Sequence, residues 1–169
     1  QRGKQLAAYR LDSGHYLIGL DGSQYFSSKK IHCPSCLTRK GAKGSLRYSH
    51  QILQAVILNP YMRQVLPLAP EPIANTDGNT KQDCEINAGK RIVGNIRQVH
   101  PKLKIIITAD GLYSNQPFID ILKDARMSFI LVAKPTDHKV LFQWVDELVG
   151  LGQGGQLQLA DDKGRRHVY

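Results

Sequence analysis

The chain has 169 residues, 41% of them hydrophobic, and a formal net charge of +9. That is enough apolar material for one domain with a core and too much for a disordered chain. No uncharged run approaches the roughly 20 apolar residues of a membrane helix, and no signal-peptide pattern opens the sequence, which begins at Gln1.

Residues 1–13 are polar and mixed, and read as the lead-in from a missing N-terminal region. Tyr16–Phe26 predicts the first strand, in which the apolar run Tyr16–Leu20 meets Asp21 and Gly22. Ser27–Ser45 reads as a Gly/Ser/Lys-rich loop, long for a hairpin connection. Leu46–Leu58 is apolar and β-prone and turns at Asn59-Pro60. Gln64–Leu68 predicts a short third strand. A Pro/Gly-punctuated connection leads to a helix from Lys81 to about Val99, where Ala88, Ile92, Ile96 and Val99 recur at helical spacing. Thr80 is its expected N-cap and Pro101 marks its end. Lys104–Ala109 predicts the fourth strand, which closes on Asp110 and Gly111. Gln116–Arg126 predicts an amphipathic helix and Met127–Pro135 a strand buried on both faces. Asp137–Val149 predicts a third helix, whose Val140, Leu141, Trp144, Val145 and Leu148 point to core packing. Gly150–Gly155 breaks it. Gln156–Ala160 and Arg165–Tyr169 predict two strands turning at Lys163-Gly164, and the chain stops inside the second, as a piece of a longer protein would.

The order β-β-β-α-β-α-β-α gives an α/β fold with a mixed sheet. Three antiparallel strands come first, and later strands return through right-handed crossovers to lie parallel to the first, with helices on both faces. Strands one and four then become neighbours. Asp21 and Asp110 would sit side by side, near the end of the sheet where open α/β sheets bind ligands.

Two carboxylates so close repel, and a divalent cation relieves the repulsion; Mg²⁺ takes one or two carboxylates with waters and phosphate oxygens. A pair of such ions can activate water and stabilise a leaving oxygen in phosphoryl transfer. The glycine behind each Asp would let the backbone turn away and a substrate approach. The plain alternative is a turn at a strand end. From Gly22 to Pro70 there is no Asp or Glu. Lys29, Lys30, Arg39, Lys40, Lys43 and Arg47 fall in that span, a basic surface suited to a nucleic-acid backbone or simply to solvent.

Three cysteines, an odd number, argue against a disulfide framework and fit a reducing cytosol. Cys33 and Cys36 have the two-residue gap of a zinc knuckle. Cys84, in the first turn of the first long helix, and either His50 or His32 would complete four ligands at the same end of the sheet. Three reduced thiols are the alternative. Asp83 and Glu85 flank Cys84 and read as helix-dipole partners, one of them in reach of metal or DNA.

The stretches "LDGSQYFSSKKIHCPSC", "LPLAPEPI", "DGNTKQDCEINAGKR" and "ITADGLYSNQPFIDIL" resemble bacterial insertion-sequence transposases of the DDE type, in particular those with a strand-rich insertion before the last catalytic glutamate. The resemblance runs from Tyr16 to about Val149. It implies a ribonuclease H-like catalytic domain over 14–149, with 150–169 as the start of the β-rich insertion. It implies a DNA transferase using Mg²⁺ or Mn²⁺, with Asp21 and Asp110 as the first two acids. Such an enzyme hydrolyses a phosphodiester at the transposon end and joins the freed 3′-OH to target DNA. Double-stranded DNA and further copies of the protein would be its partners, in a bacterial cytoplasm at the nucleoid. The third acid is expected beyond Tyr169, which would leave this chain inactive alone; Glu147 is the competing choice. Another nuclease of the same fold, or an inactive remnant that only binds DNA, are the competing functions.

Overall fold

The computed structural model describes residues 2–41, 44–75, 83–155, 157–161 and 164–168. The chain divides into two compact units, Gln1–Val132 and Ala133–Tyr169.

In the first unit, two 13-residue strands form the spine, β1 (Tyr16–Ser28) and β3 (Leu46–Leu58). They pair antiparallel from Leu17↔Leu58 to Ser28↔Tyr48, with a bulge between Gln24 and Phe26. Three short pieces line the other edge of β3. β2 (Leu37–Lys40) faces its first residues, then β5 (Glu71–Ile73), then β4 (Leu66–Pro67). The expected third strand, Gln64–Leu68, thus shrinks to two residues. Pro67, Pro70 and Pro72 have no N–H to donate, so this stretch can lie only at an edge and only in fragments. On its far side β1 pairs in parallel with β6 (Ile105–Ala109), and β6 with β7 (Ser128–Leu131). The result is a seven-stranded mixed sheet of order β2-β3-β1-β6-β7, with β4 and β5 also on β3.

The helix after β5 is α2 (Glu85–Val99), and α3 (Gln116–Asp124) joins β6 to β7. The expected cap Thr80 lies outside the described residues, and Cys84 is the N-cap. Ala88, Ile92, Val93 and Ile96 of α2 meet Leu53, Ala55 and Ile57 of β3, Ile18 and Leu20 of β1, and Phe118 and Leu122 of α3 in one core. Burial of each of the larger side chains, Val, Leu, Ile or Phe, contributes on the order of 1.5–3 kcal/mol.

Both helices lie on one face of the sheet; the expectation of helices on both faces also counted the third helix, which belongs to the second unit. The reason is topological. The crossovers β5-α2-β6 and β6-α3-β7 advance across the sheet in the same direction, and right-handed crossovers made in one direction put their helices on one side. The opposite face shows Gly19, Val56, Ile106 and Thr108 half-buried, and Ile130 61% exposed. The strand expected to be buried on both faces is therefore a four-residue edge strand with one covered face. The N-terminal residues do more than lead in: α1 (Arg2–Ala7) precedes Tyr9, which is buried in the core.

In the second unit, α4 (Lys139–Gly150) precedes a hairpin of β8 (Gln158–Ala160) and β9 (Arg166–Val168). Against expectation, Val140, Leu141, Trp144, Val145 and Leu148 of α4 are exposed. Among the described residues, no helix is long and apolar enough to cross a membrane.

Candidate functional site

Parallel pairing of β1 with β6 ends at Gly19↔Thr108. Asp21 and Asp110 each stand two residues past that last pair. Side chains alternate along a strand. Leu20 and Ala109 therefore turn into the core, while Asp21 and Asp110 are exposed. Both aspartates line one open cavity of about 630 Å³, with Gly19, Ser23, Gln54, Val56 and Thr108.

The two Asp-Gly units are built differently. At Asp110 the chain does turn. Asp110 Oδ1 accepts from the Leu112 N–H at 3.0 Å and caps a 3₁₀ turn, Gly111–Tyr113. At Asp21 it does not, because β1 runs through to Ser28. Gly22 has another use: a Cβ there would stand 2.4 Å from Glu85 Oε2. The absent side chain is the space into which Glu85, the first residue of α2, extends.

Tyr113 fixes Glu85 from the other side. Its ring is 1% exposed, and its hydroxyl donates to Glu85 Oε1 at 3.0 Å. Burial, then the negative charges of Glu85, Asp110 and Asp21, push the phenol well above its ordinary value of 10.0. Three carboxylates from β1, α2 and the end of β6 thus bear on one phenol. Glu85 is the residue that sequence reasoning left as a helix-dipole partner. Its signal was the glycine at position 22, which is unneeded for a turn in mid-strand.

Asp83, its neighbour, has a structural role. Arg91 Nη2 donates to Asp83 Oδ2 at 2.7 Å, and Arg91 also donates to Glu71 Oε1 and the Pro72 carbonyl. Burial pushes the Asp83 carboxyl up, but the bonds and charge of Arg91 with the Cys84 N–H outweigh it, and the group lies below its ordinary value of 3.8.

Beyond Asp21, β1, β3 and β2 continue as an arm. The span 27–45, expected as a loop, holds the end of β1 and all of β2. Lys29, Lys30, Arg39, Lys40 and Arg47 are exposed on the arm, and Lys43 lies outside the described residues. Arg39 is directly opposite Arg47 in the β2–β3 register. Like charges so placed destabilise a sheet. The pair lines a cavity of about 490 Å³ with Gln24, Thr38, Ser49 and Gln51.

The arm also holds the cysteines. Cys33 Sγ is 3.7 Å from Cys36 Sγ, and His50 Nε2 is 3.4 and 3.3 Å from them. Cys84 is not in this group, whose ligand atoms all lie within 4.8 Å of one another. It stands at the N-cap position of α2, with its N–H donated to Asp83 Oδ1. His32 is not in it either: its ring stacks on Tyr48 with centroids 4.4 Å apart, and its Nδ1 lies 3.1 Å from the Lys30 carbonyl. Glu147 belongs to the second unit, where Gln143 Nε2 donates to it at 2.9 Å.

No family model matches the chain, and no curated protein matches it. Among solved structures, a piggyBac transposase in a cryo-EM synaptic complex with hairpin DNA is similar over 90% of this chain, at 10% identity and a TM-score of 0.42. The chain spans 32% of that protein's length. A likeness so distant assigns no function by itself.

Proposed function

We propose that the chain is part of a metal-dependent DNA transferase of the DDE transposase kind, built on a ribonuclease H-like sheet. The observation that supports this most is that Asp21 and Asp110, just past the last pair Gly19↔Thr108 of the parallel strands β1 and β6, line one cavity at the root of a basic arm. The donor set fits a hard divalent cation. Its members are exposed carboxylates with oxygens to spare, and Asp110 uses one oxygen on its turn and keeps the other. Asp21 and Asp110 would hold Mg²⁺ or Mn²⁺, which when bound supplies Lewis acidity to a phosphodiester and a more acidic water. Glu85, kept in place by the Tyr113 hydroxyl and the space over Gly22, adds its negative charge to those of Asp21 and Asp110 at that phenol. The arm's Lys29, Lys30, Arg39, Lys40 and Arg47 would bind phosphates of double-stranded DNA and set its register without reading sequence.

The test is a cleavage and strand-transfer assay on DNA carrying the element's ends, using the protein that contains this chain. Asp21→Asn and Asp110→Asn each abolish both steps and leave DNA binding intact. Wild-type cleavage by either variant removes that residue from the site. Cleavage with no joining of pre-cut ends replaces the transferase with a hydrolytic nuclease of the same fold.

A further inference from the structure

We propose that Cys33, Cys36 and His50 form a zinc site that locks the basic arm, separate from the carboxylate site. Zn–S bonds of about 2.3 Å and Zn–N bonds of about 2.0 Å at tetrahedral angles separate two sulfurs by roughly 3.8 Å and a sulfur from a nitrogen by roughly 3.5 Å. The observed separations are 3.7 Å between sulfurs and 3.4 and 3.3 Å from each sulfur to the imidazole nitrogen. The donor atoms already stand where such an ion's ligands stand.

The chemistry of the donors selects the ion. Thiolate and imidazole favour zinc over the hard cations that suit Asp21 and Asp110. A disulfide accounts for less: it would join the sulfurs and leave unexplained an imidazole nitrogen nearly equidistant from both. The Cys33 N–H donates to Cys36 Sγ at 3.3 Å, a bond of the kind a thiolate ligand accepts.

The fold builds the site from two segments. The Cys36 N–H donates to the Cys33 carbonyl at 3.1 Å, closing a turn that brings both sulfurs to one side. His50 comes from β3, opposite Phe26. The bulge between Gln24 and Phe26 sets an extra residue, Tyr25, beside the ring, which it stacks on at 5.9 Å while Phe26 tilts against it at 5.6 Å. Aromatic walls fix the imidazole. Cys36 is buried and Cys33 is exposed, so the site is anchored on one side and open to metal entry on the other. These three protein ligands leave the fourth tetrahedral position for water. The ion would tie the turn after Lys29 and Lys30 to the strand that carries Arg47. The basic side chains would then be held against DNA at less entropic cost.

The experiment is elemental analysis of protein made under reducing, zinc-replete conditions, with Co²⁺ substitution and limited trypsin digestion. The wild type carries close to one equivalent of zinc. Its Co²⁺ form shows tetrahedral d–d bands and thiolate charge transfer. Chelation opens trypsin cleavage at Lys29 and Lys30 first, and leaves the core helices protected. Cys33→Ser and His50→Ala, both at sites not fully buried, weaken zinc binding by more than the roughly 10–100-fold that loss of an outer-shell partner costs. Cys84→Ser keeps the zinc. Protein without zinc under those conditions overturns the proposal, as do Cys33→Ser and His50→Ala variants that bind as tightly as wild type. Loss of zinc in Cys84→Ser overturns the ligand set.

Discussion

Tyr113 is the most consequential single residue of the carboxylate end. It is a buried phenol with three carboxylates acting on it, so its proton is held more tightly in the folded chain than in the unfolded one. The sign follows from linkage. A raised value contributes stability that is whole below the ordinary value of 10.0 and is lost as pH rises above it, because the unfolded chain then gives up a proton that the folded chain keeps. Denaturant unfolding measured between roughly pH 9 and pH 11 should show stability falling by up to about 1.4 kcal/mol per pH unit from this group. Tyr113→Phe should flatten the fall. An equally steep fall in the variant would assign the alkaline loss to other groups.

Among the elements, α2 is the one whose sequence carries a local cost that packing explains. Gly89 sits in mid-helix, where glycine is unfavourable by about 1 kcal/mol relative to alanine. A Cβ there would stand 2.8 Å from Tyr113 Cε1 and 3.0 Å from Phe118 Cε2, rings that are themselves fully buried. Crowding a packed core costs about 1–3 kcal/mol and exceeds the gain in helix propensity. Gly89→Ala should therefore lower the melting temperature, whereas Gly94→Ala on the same helix, with open space around it, should raise it. Equal effects of the two substitutions would contradict this packing.

The helices α2 and α3 were legible because their apolar residues repeat along one face, and β1, β3 and β6 because each holds an apolar, β-prone run bounded by polar or turn residues. β2 was not, since Leu37–Lys40 is too short and too basic to read as a strand, and only pairing with β3 makes it one. The single-sided placement of α2 and α3 was latent in the crossover rule but needed the strand order. Among the candidate residues, Asp21, Asp110, Cys33 and Cys36 could be singled out from residue type and spacing, whereas the choice of His50 over His32 and the separation of Cys84 needed the structure. Glu85 could not be separated from an ordinary helix-dipole acid until Gly22 was seen beneath it.

For the molecule as a whole, the arrangement is an acidic cavity at the root of a basic arm. On the proposed function, DNA binding should be sequence-tolerant and steep in salt. If the arm neutralises about four phosphates, log affinity should fall with log salt at a slope near roughly −3.6. Replacing Lys29, Lys30, Arg39, Lys40 and Arg47 by Gln should flatten that slope, and an unchanged slope would place the DNA elsewhere. The central claim is that Asp21 and Asp110 together hold a divalent cation. A crystal soaked in Mn²⁺ tests it most directly, through anomalous scattering. A peak between the two carboxylates, absent in Asp110→Asn, is expected; a soaked crystal with Mn²⁺ at other acids and none between Asp21 and Asp110 would contradict it.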